Sequence, residues 1–278
     1  GKIGFCGETS EIRAARAALH MWEEPCISGE KGSGTVFFTG CTLRCVFCQN
    51  HEIAGSKVGK VITEERLAEI LLELQGKGAN NINLVTPTHF VPQIIRALQS
   101  AKDQGMYLPV VYNTGGYERV ETLKMLDGLV DIYLPDFKYL NIDHAKKYSM
   151  AEDYPEVAKA ALAEMVRQAG KPAFDERGMM KRGVIVRHLL LPGCLADGKR
   201  VVKYLYETYG NRIYMSLMSQ YTPFYKAKEH KALGRRISTY EYRKAVDYAV
   251  ELGLTEGFMQ EKSSAREEYT PPFDLEGV

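Results

Sequence analysis

Cys41, Cys45 and Cys48 stand within eight positions of one another, in the segment FFTGCTLRCVFCQNHEI at residues 37–53. Thiolates are soft metal ligands, and three on a compact loop can turn inward onto one centre. The spacing C-x3-C-x2-C suits a 4Fe–4S cluster, whose usual ligands are cysteine thiolates. Three thiolates leave one iron open, and an open position is where a substrate or cofactor can coordinate and react. The rival is a zinc ion. His51 lies three residues after Cys48 and completes a Cys3His set, although such sites are usually built from two separated ligand pairs. A third reading takes the cysteines as small buried apolar residues, against which Thr42 and Arg44 between them argue.

Composition narrows the setting. Six cysteines in 278 residues, three of them clustered, do not read as a disulfide framework. They fit a reducing cytoplasm, where clustered thiols serve metal or redox chemistry. No secretory signal opens the chain, which starts on Gly1 and is read as a processed or truncated piece. No apolar run reaches membrane-spanning length. Apolar residues make up 45%, charged residues 26%, and the net charge is +1. That balance is ordinary for a soluble globular protein and holds no basic surplus for nucleic acid.

The elements that must position the thiols alternate. Strand-like runs fall at 35–40, 81–87, 108–116, 129–138, 183–193 and 212–220, and helical patterns fill the gaps between them. In TEERLAEILLELQGKG, Thr63 is the expected N-cap, and Leu67, Ile70, Leu71 and Leu74 recur at helical spacing. Six such alternations imply a mostly parallel sheet with helical crossovers, open or curled into a partial barrel. Ligands bind at the carboxyl ends of the strands in either form. Those ends are expected at Gly40, Thr86, Asn113, Asp136, Gly193 and Ser219, and the three cysteines directly follow the first.

With Phe47 as the aromatic residue, C-x3-C-x-aromatic-C resembles the signature of the radical S-adenosylmethionine (SAM) superfamily. The resemblance covers nearly the whole chain. It is strongest to the activating enzymes of glycyl radical enzymes, and to a branch related to pyruvate formate-lyase activating enzyme. That group has a D-x-K element after the fourth strand, matched by Asp136, Phe137 and Lys138. It has R-x4-P-G on the fifth, matched by Arg187 through Gly193. It also has an N-G-like turn after the third, where this chain has NTGG at 113–116.

The resemblance implies a partial (β/α)6 barrel holding one 4Fe–4S cluster on Cys41, Cys45 and Cys48, with SAM on the open iron. One-electron cleavage of SAM then yields a 5′-deoxyadenosyl radical that abstracts hydrogen. The implied SAM pocket contains Asn113, Gly115, Gly116, Asp136, Lys138 and Arg187. Lys138 offers a point charge, Arg187 a planar fork suited to a carboxylate, and Asp136 an acceptor for ribose hydroxyls. Solvated or structural ion pairs are the ordinary alternative for these three.

The departures fall in the same pocket. Where the family has G-G-E after the second strand, this chain has TPTH at 86–89. Thr86 and Thr88 can substitute as hydrogen-bond partners. His89 is a candidate for substrate contact, with Thr88 capping the helix from Phe90 as the plainer reading. Gln220 and Tyr221 stand where the family has a histidine, and Asn113 where it often has an acid. Cys194 reads as a packed loop cysteine and Cys26 as an unpartnered loop residue. The related branch carries a cysteine-bearing segment near Cys6, and a lone Cys6 builds no cluster.

Three divisions are expected: an N-terminal segment at 1–34, the barrel at 35–260 and a C-terminal extension at 261–278. The implied function is hydrogen abstraction, activating a glycyl radical enzyme or modifying a small molecule or peptide. An electron donor such as flavodoxin or ferredoxin is the implied partner. A non-catalytic zinc module is the alternative from another class.

Overall fold

The computed structural model describes residues 2–55, 58–259 and 270–278. The strands in chain order are β1 (Arg13–His20), β2 (Ser33–Phe38), β3 (Lys60–Val61), β4 (Ile82–Val85), β5 (Val110–Thr114), β6 (Ile132–Pro135), β7 (Ala173–Phe174), β8 (Met180–Leu189), β9 (Tyr214–Met218) and β10 (Gly257–Met259). They form one open sheet in the order β10-β9-β8-β6-β5-β4-β2-β1-β3, with β7 paired to β8. β2, β4, β5, β6, β8 and β9 are the six expected strands. They lie side by side in chain order, each parallel to the next. The architecture is a mostly parallel α/β sheet, a partial (β/α)6 barrel.

The helices are α1 (Pro25–Ser28), α2 (His51–Ala54), α3 (Glu64–Gly76), α4 (Val91–Asp103), α5 (Val120–Lys124), α6 (Ile142–Ser149), α7 (Tyr154–Ala169), α8 (Leu195–Tyr209) and α9 (Thr239–Glu251). α3 forms as its pattern requires. Thr63 Oγ1 accepts from the Arg66 backbone N–H at 3.1 Å, two acids occupy the first turn, and Leu67, Ile70, Leu71 and Leu74 are buried. The main core lies between the helices and the outer sheet face, around Leu84, Val110, Tyr112, Tyr133, Val184 and Val186. The inner face holds two smaller clusters. Among the described residues, no helix is long and apolar enough to cross a membrane.

The N-terminal residues are part of this sheet. β1 runs antiparallel to β2, with His20 opposite Ser33 and Ala14 opposite Phe38. Residues 261–269 of the expected extension lie outside the described residues. Residues 270–278 return to β1: the Ala17 N–H donates to the Glu276 carbonyl at 2.8 Å and the Leu275 N–H to the Ala15 carbonyl at 3.1 Å. Cys26 is not a loop residue. It lies in α1, buried with Ile27 against Val111, Ile132, Leu134 and Ile185.

Candidate active site

The cysteine loop leaves β2 through Gly40, whose φ is +78°. A Cβ there would lie 2.6 Å from Glu8 Cγ and 2.9 Å from the Cys6 carbonyl oxygen, so only glycine fits. Backbone bonds then pin the loop. The Cys41 N–H donates to the Cys6 carbonyl at 3.1 Å, Arg44 N–H to Ser149 at 3.1 Å, and Val46 N–H to Tyr148 at 2.8 Å. The Arg44 guanidinium donates to the Cys41 and Phe5 carbonyls and lies 4.8 Å over the Phe5 ring. Phe47 is buried against Tyr221, ring centroids 6.1 Å apart.

Cys41, Cys45 and Cys48 line one cavity of about 250 Å³ at the carboxyl ends of the strands. None of the six cysteines is disulfide-bonded. Burial, then the neighbouring thiols, pushes Cys41 up to about 11 and Cys48 higher still, and Lys138 only partly offsets this. By themselves these thiols stay protonated near neutrality, and a bound metal deprotonates them. Cys45 Sγ lies 3.0 Å from Ser149 Oγ.

The zinc alternative requires His51 beside the three cysteines. The His51 ring, its fourth ligand, is instead stacked on Tyr225 with ring centroids 5.1 Å apart.

A charged array faces the same cavity. Arg187 Nε donates to Asp136 Oδ1 at 2.9 Å, Nη1 to Glu23 Oε2 at 3.1 Å, and Nη2 to Asn113 Oδ1 at 2.6 Å. Lys138 Nζ donates to Asp136 Oδ2 at 2.7 Å. Burial works against the Asp136 charge, but Lys138 and Arg187 hold its carboxyl below the usual range. Burial likewise opposes Lys138, and Asp136, then Cys45, raise its ammonium above the usual value. Arg187 is therefore a braced fork rather than a loose one.

The glycine turn serves this array from behind. Tyr154 Oη lies 2.9 Å from the Gly115 carbonyl and 3.0 Å from the Asp136 carbonyl, and accepts from the Lys138 N–H at 2.9 Å. Gly116 lets the Asp136 carbonyl approach its Cα rather than opening space for a ligand.

The TPTH segment divides. Thr86 lines the cavity with φ at +57°, a strained conformation for a β-branched residue. Thr88 Oγ1 caps no helix. It donates to Glu118 Oε1 at 2.6 Å, because that buried carboxylate also draws the hydroxyls of Tyr112 and Thr114. His89 is not among the residues lining the cavity. Its Nε2 is 2.7 Å from the Thr39 carbonyl, so the ring braces the end of β2.

Gln220 and Tyr221 both line the cavity. The Tyr221 hydroxyl is spent on the Leu233 carbonyl at 2.7 Å. Cys194 is buried in the main core. The residues that sequence reasoning misses are Glu23 and Glu118. Glu23 lies in an N-terminal segment without a motif, and Glu118 has no signal besides following the glycine turn.

The radical SAM superfamily model matches residues 35–193, more than half of the chain. The chain belongs to the radical SAM superfamily. Its members use a 4Fe–4S cluster and SAM, and the site fits both. Three thiols converge on a cavity without pairing to each other, beside buried cationic and anionic side chains.

An uncharacterised protein of Methanocaldococcus jannaschii is 30% identical over 261 residues, 90% of this chain and 70% of that protein. Pyruvate formate-lyase-activating enzyme of Clostridium pasteurianum is 28% identical over 185 residues, 61% of this chain and 66% of the enzyme. The crystal structure of SuiB from Streptococcus suis, bound to precursor peptide SuiA, superposes with a TM-score of 0.53 at 11% identity. That match covers 80% of this radical SAM chain and 46% of SuiB, so this chain spans under half of that protein.

Proposed function

We propose that this radical SAM enzyme cleaves SAM reductively and takes a hydrogen atom from a polypeptide substrate, with a backbone glycine of a glycyl radical enzyme as the first candidate. The observation that carries the reading is the shared cavity: Cys41, Cys45 and Cys48 on one side, Asn113, Asp136, Lys138 and Arg187 on another. When bound, the cluster and SAM supply one-electron reduction of a sulfonium and hydrogen-atom abstraction.

The chain's own residues bind, orient and shield. Cys41, Cys45 and Cys48 would hold the cluster. Lys138 and Arg187 present cations for the SAM carboxylate, and Asp136 presents acceptors for its ribose. Phe37, Phe38, Leu43 and Phe47 line the cavity and keep water from the reacting carbon.

The open sheet lets a polypeptide loop reach the mouth. Similarity to pyruvate formate-lyase-activating enzyme, and to a structure carrying a precursor peptide, supports the same substrate class.

The test begins with cluster-reconstituted enzyme, SAM and dithionite, with 5′-deoxyadenosine measured by chromatography. Its formation excludes a non-catalytic role. Candidate glycyl radical proteins and peptides follow, with electron paramagnetic resonance for a glycyl doublet and deuterated substrates for transfer into 5′-deoxyadenosine. Deuterium arriving only from a small molecule would refute the polypeptide assignment.

A further inference from the structure

One wall of the cavity comes from neither the cysteine loop nor the carboxyl ends of the parallel strands. His20, Trp22 and Glu23 line it, from the end of β1 and the turn into α1, outside the family-matched stretch of 35–193. The turn is wedged against the inner sheet face. Cys26 and Ile27 of α1 are buried there among Val111, Ile132, Leu134, Met180 and Ile185.

Glu23 is the polar tip of this wedge. Its backbone N–H donates to Ser28 Oγ at 3.0 Å, which fixes the turn. Oε1 accepts from Asn83 Nδ2 and Asn113 Nδ2, both at 3.1 Å. Oε2 accepts from Arg187 Nη1 at 3.1 Å. The side chain is only 10% exposed. Its neighbour Glu24 is buried, and burial raises that carboxyl despite Arg187.

We propose that Glu23 is a positioning residue for SAM, setting the guanidinium plane of Arg187 and the amide of Asn113 in the SAM pocket. Asn113 gives its amide nitrogen to Glu23 and its oxygen to Arg187, so both ends are fixed. Arg187 is held from three sides, and its remaining N–H groups keep one orientation. A glutamine at position 23 keeps the size but not the bonding. It has one acceptor oxygen where three donors converge, so either Arg187 or the two asparagine amides face an NH2 group. The proposal rests on the reading that Arg187 and Asn113 serve SAM.

Trp22 is the only tryptophan in the chain and lines the same cavity, so its emission reports binding. Cluster-loaded enzyme without reductant is titrated with SAM, following Trp22 fluorescence and checking by equilibrium dialysis. Glu23→Gln is expected to raise the Kd about tenfold at unchanged iron content, as for loss of about one good hydrogen bond to a charged group. Asn83→Ser touches Glu23 without lining the cavity, and is expected to raise the Kd roughly threefold. It keeps the test decisive if Glu23→Gln fails to fold. Cys26→Ala loosens the same wedge from its apolar side and is expected to leave the Kd unchanged.

Wild-type Kd in Glu23→Gln and Asn83→Ser would overturn the proposal. So would an equal loss in Cys26→Ala, which would mark a general loosening. Wild-type enzyme that binds no SAM would overturn the site reading, and this proposal with it.

Discussion

Gly116→Ala places one methyl group where two strands of the site meet. Gly116 has φ at +79°, a region that costs an L-residue about 1–2 kcal/mol. The new Cβ would lie 2.2 Å from the Asp136 carbonyl oxygen and 3.1 Å from Tyr154 Oη. The carbonyl belongs to the backbone and cannot rotate aside, so β5 and β6 must part. Overpacking of that kind costs about 1–3 kcal/mol more. The sum, about 2–5 kcal/mol, is a large share of the roughly 5–15 kcal/mol that holds a domain together. At about 2–4 °C per kcal/mol for a chain of this size, Tm should fall by roughly 4–20 °C.

Gly115→Ala is the control. Gly115 is not among the positive-φ glycines, and its Cβ would meet Leu43 Cδ1 at 3.0 Å and Lys138 Cε at 3.7 Å. Both are side-chain ends that can yield, so the expected loss is under about 1.5 kcal/mol. Differential scanning calorimetry on both variants decides. SAM binding should weaken more in the Gly116 variant, since the Asp136 carbonyl moves with its carboxylate. Equal melting temperatures would refute the reasoning that this glycine is demanded by the neighbouring strand.

Cys45→Ala should abolish iron retention and the visible absorbance of the cluster. Cys26→Ala should retain both while losing stability, since Cys26 packs in the inner core; iron and sulfide assays with melting curves check the pair. Burial pushes the Glu118 carboxyl up to about 7 against its hydroxyl donors, whereas the unfolded chain ionises it near about 4.3. The native state therefore keeps a proton that the unfolded state has released. Stability should fall as pH rises from about 4.3 to about 7, by about 4 kcal/mol, and then level off. Glu118→Gln should lose that slope in urea midpoints taken across the range, and an unchanged slope would exclude Glu118 as its source. Tyr154→Phe strips a hydroxyl from the Lys138 N–H and from the carbonyls of Gly115 and Asp136. It should cost about 1–3 kcal/mol by urea unfolding.

The six parallel strands are legible because a strand buried on both faces must be apolar along its length. β1 is not. Half of its sequence, RAARAALH, is alanine, which has little strand preference. It becomes a strand only by pairing with β2 and β3 and by meeting the C-terminal residues. α6 also has no assignment from sequence, because eight residues with few apolar positions give little periodicity. For TPTH, the type of residue is visible but not its direction. Thr86 turns to the cavity, Thr88 to Glu118 and His89 to Thr39.

The sequence by itself determined that three cysteines share one short loop after the first parallel strand, because their spacing is local. It also determined the parallel sheet and so the end at which chemistry occurs. Only the tertiary structure decided that Arg187 is a braced group, and that its brace is Glu23. The two lie 164 residues apart. No local pattern couples such positions; they meet because α1 buries Cys26 and Ile27 against the inner face of strands formed much later in the chain.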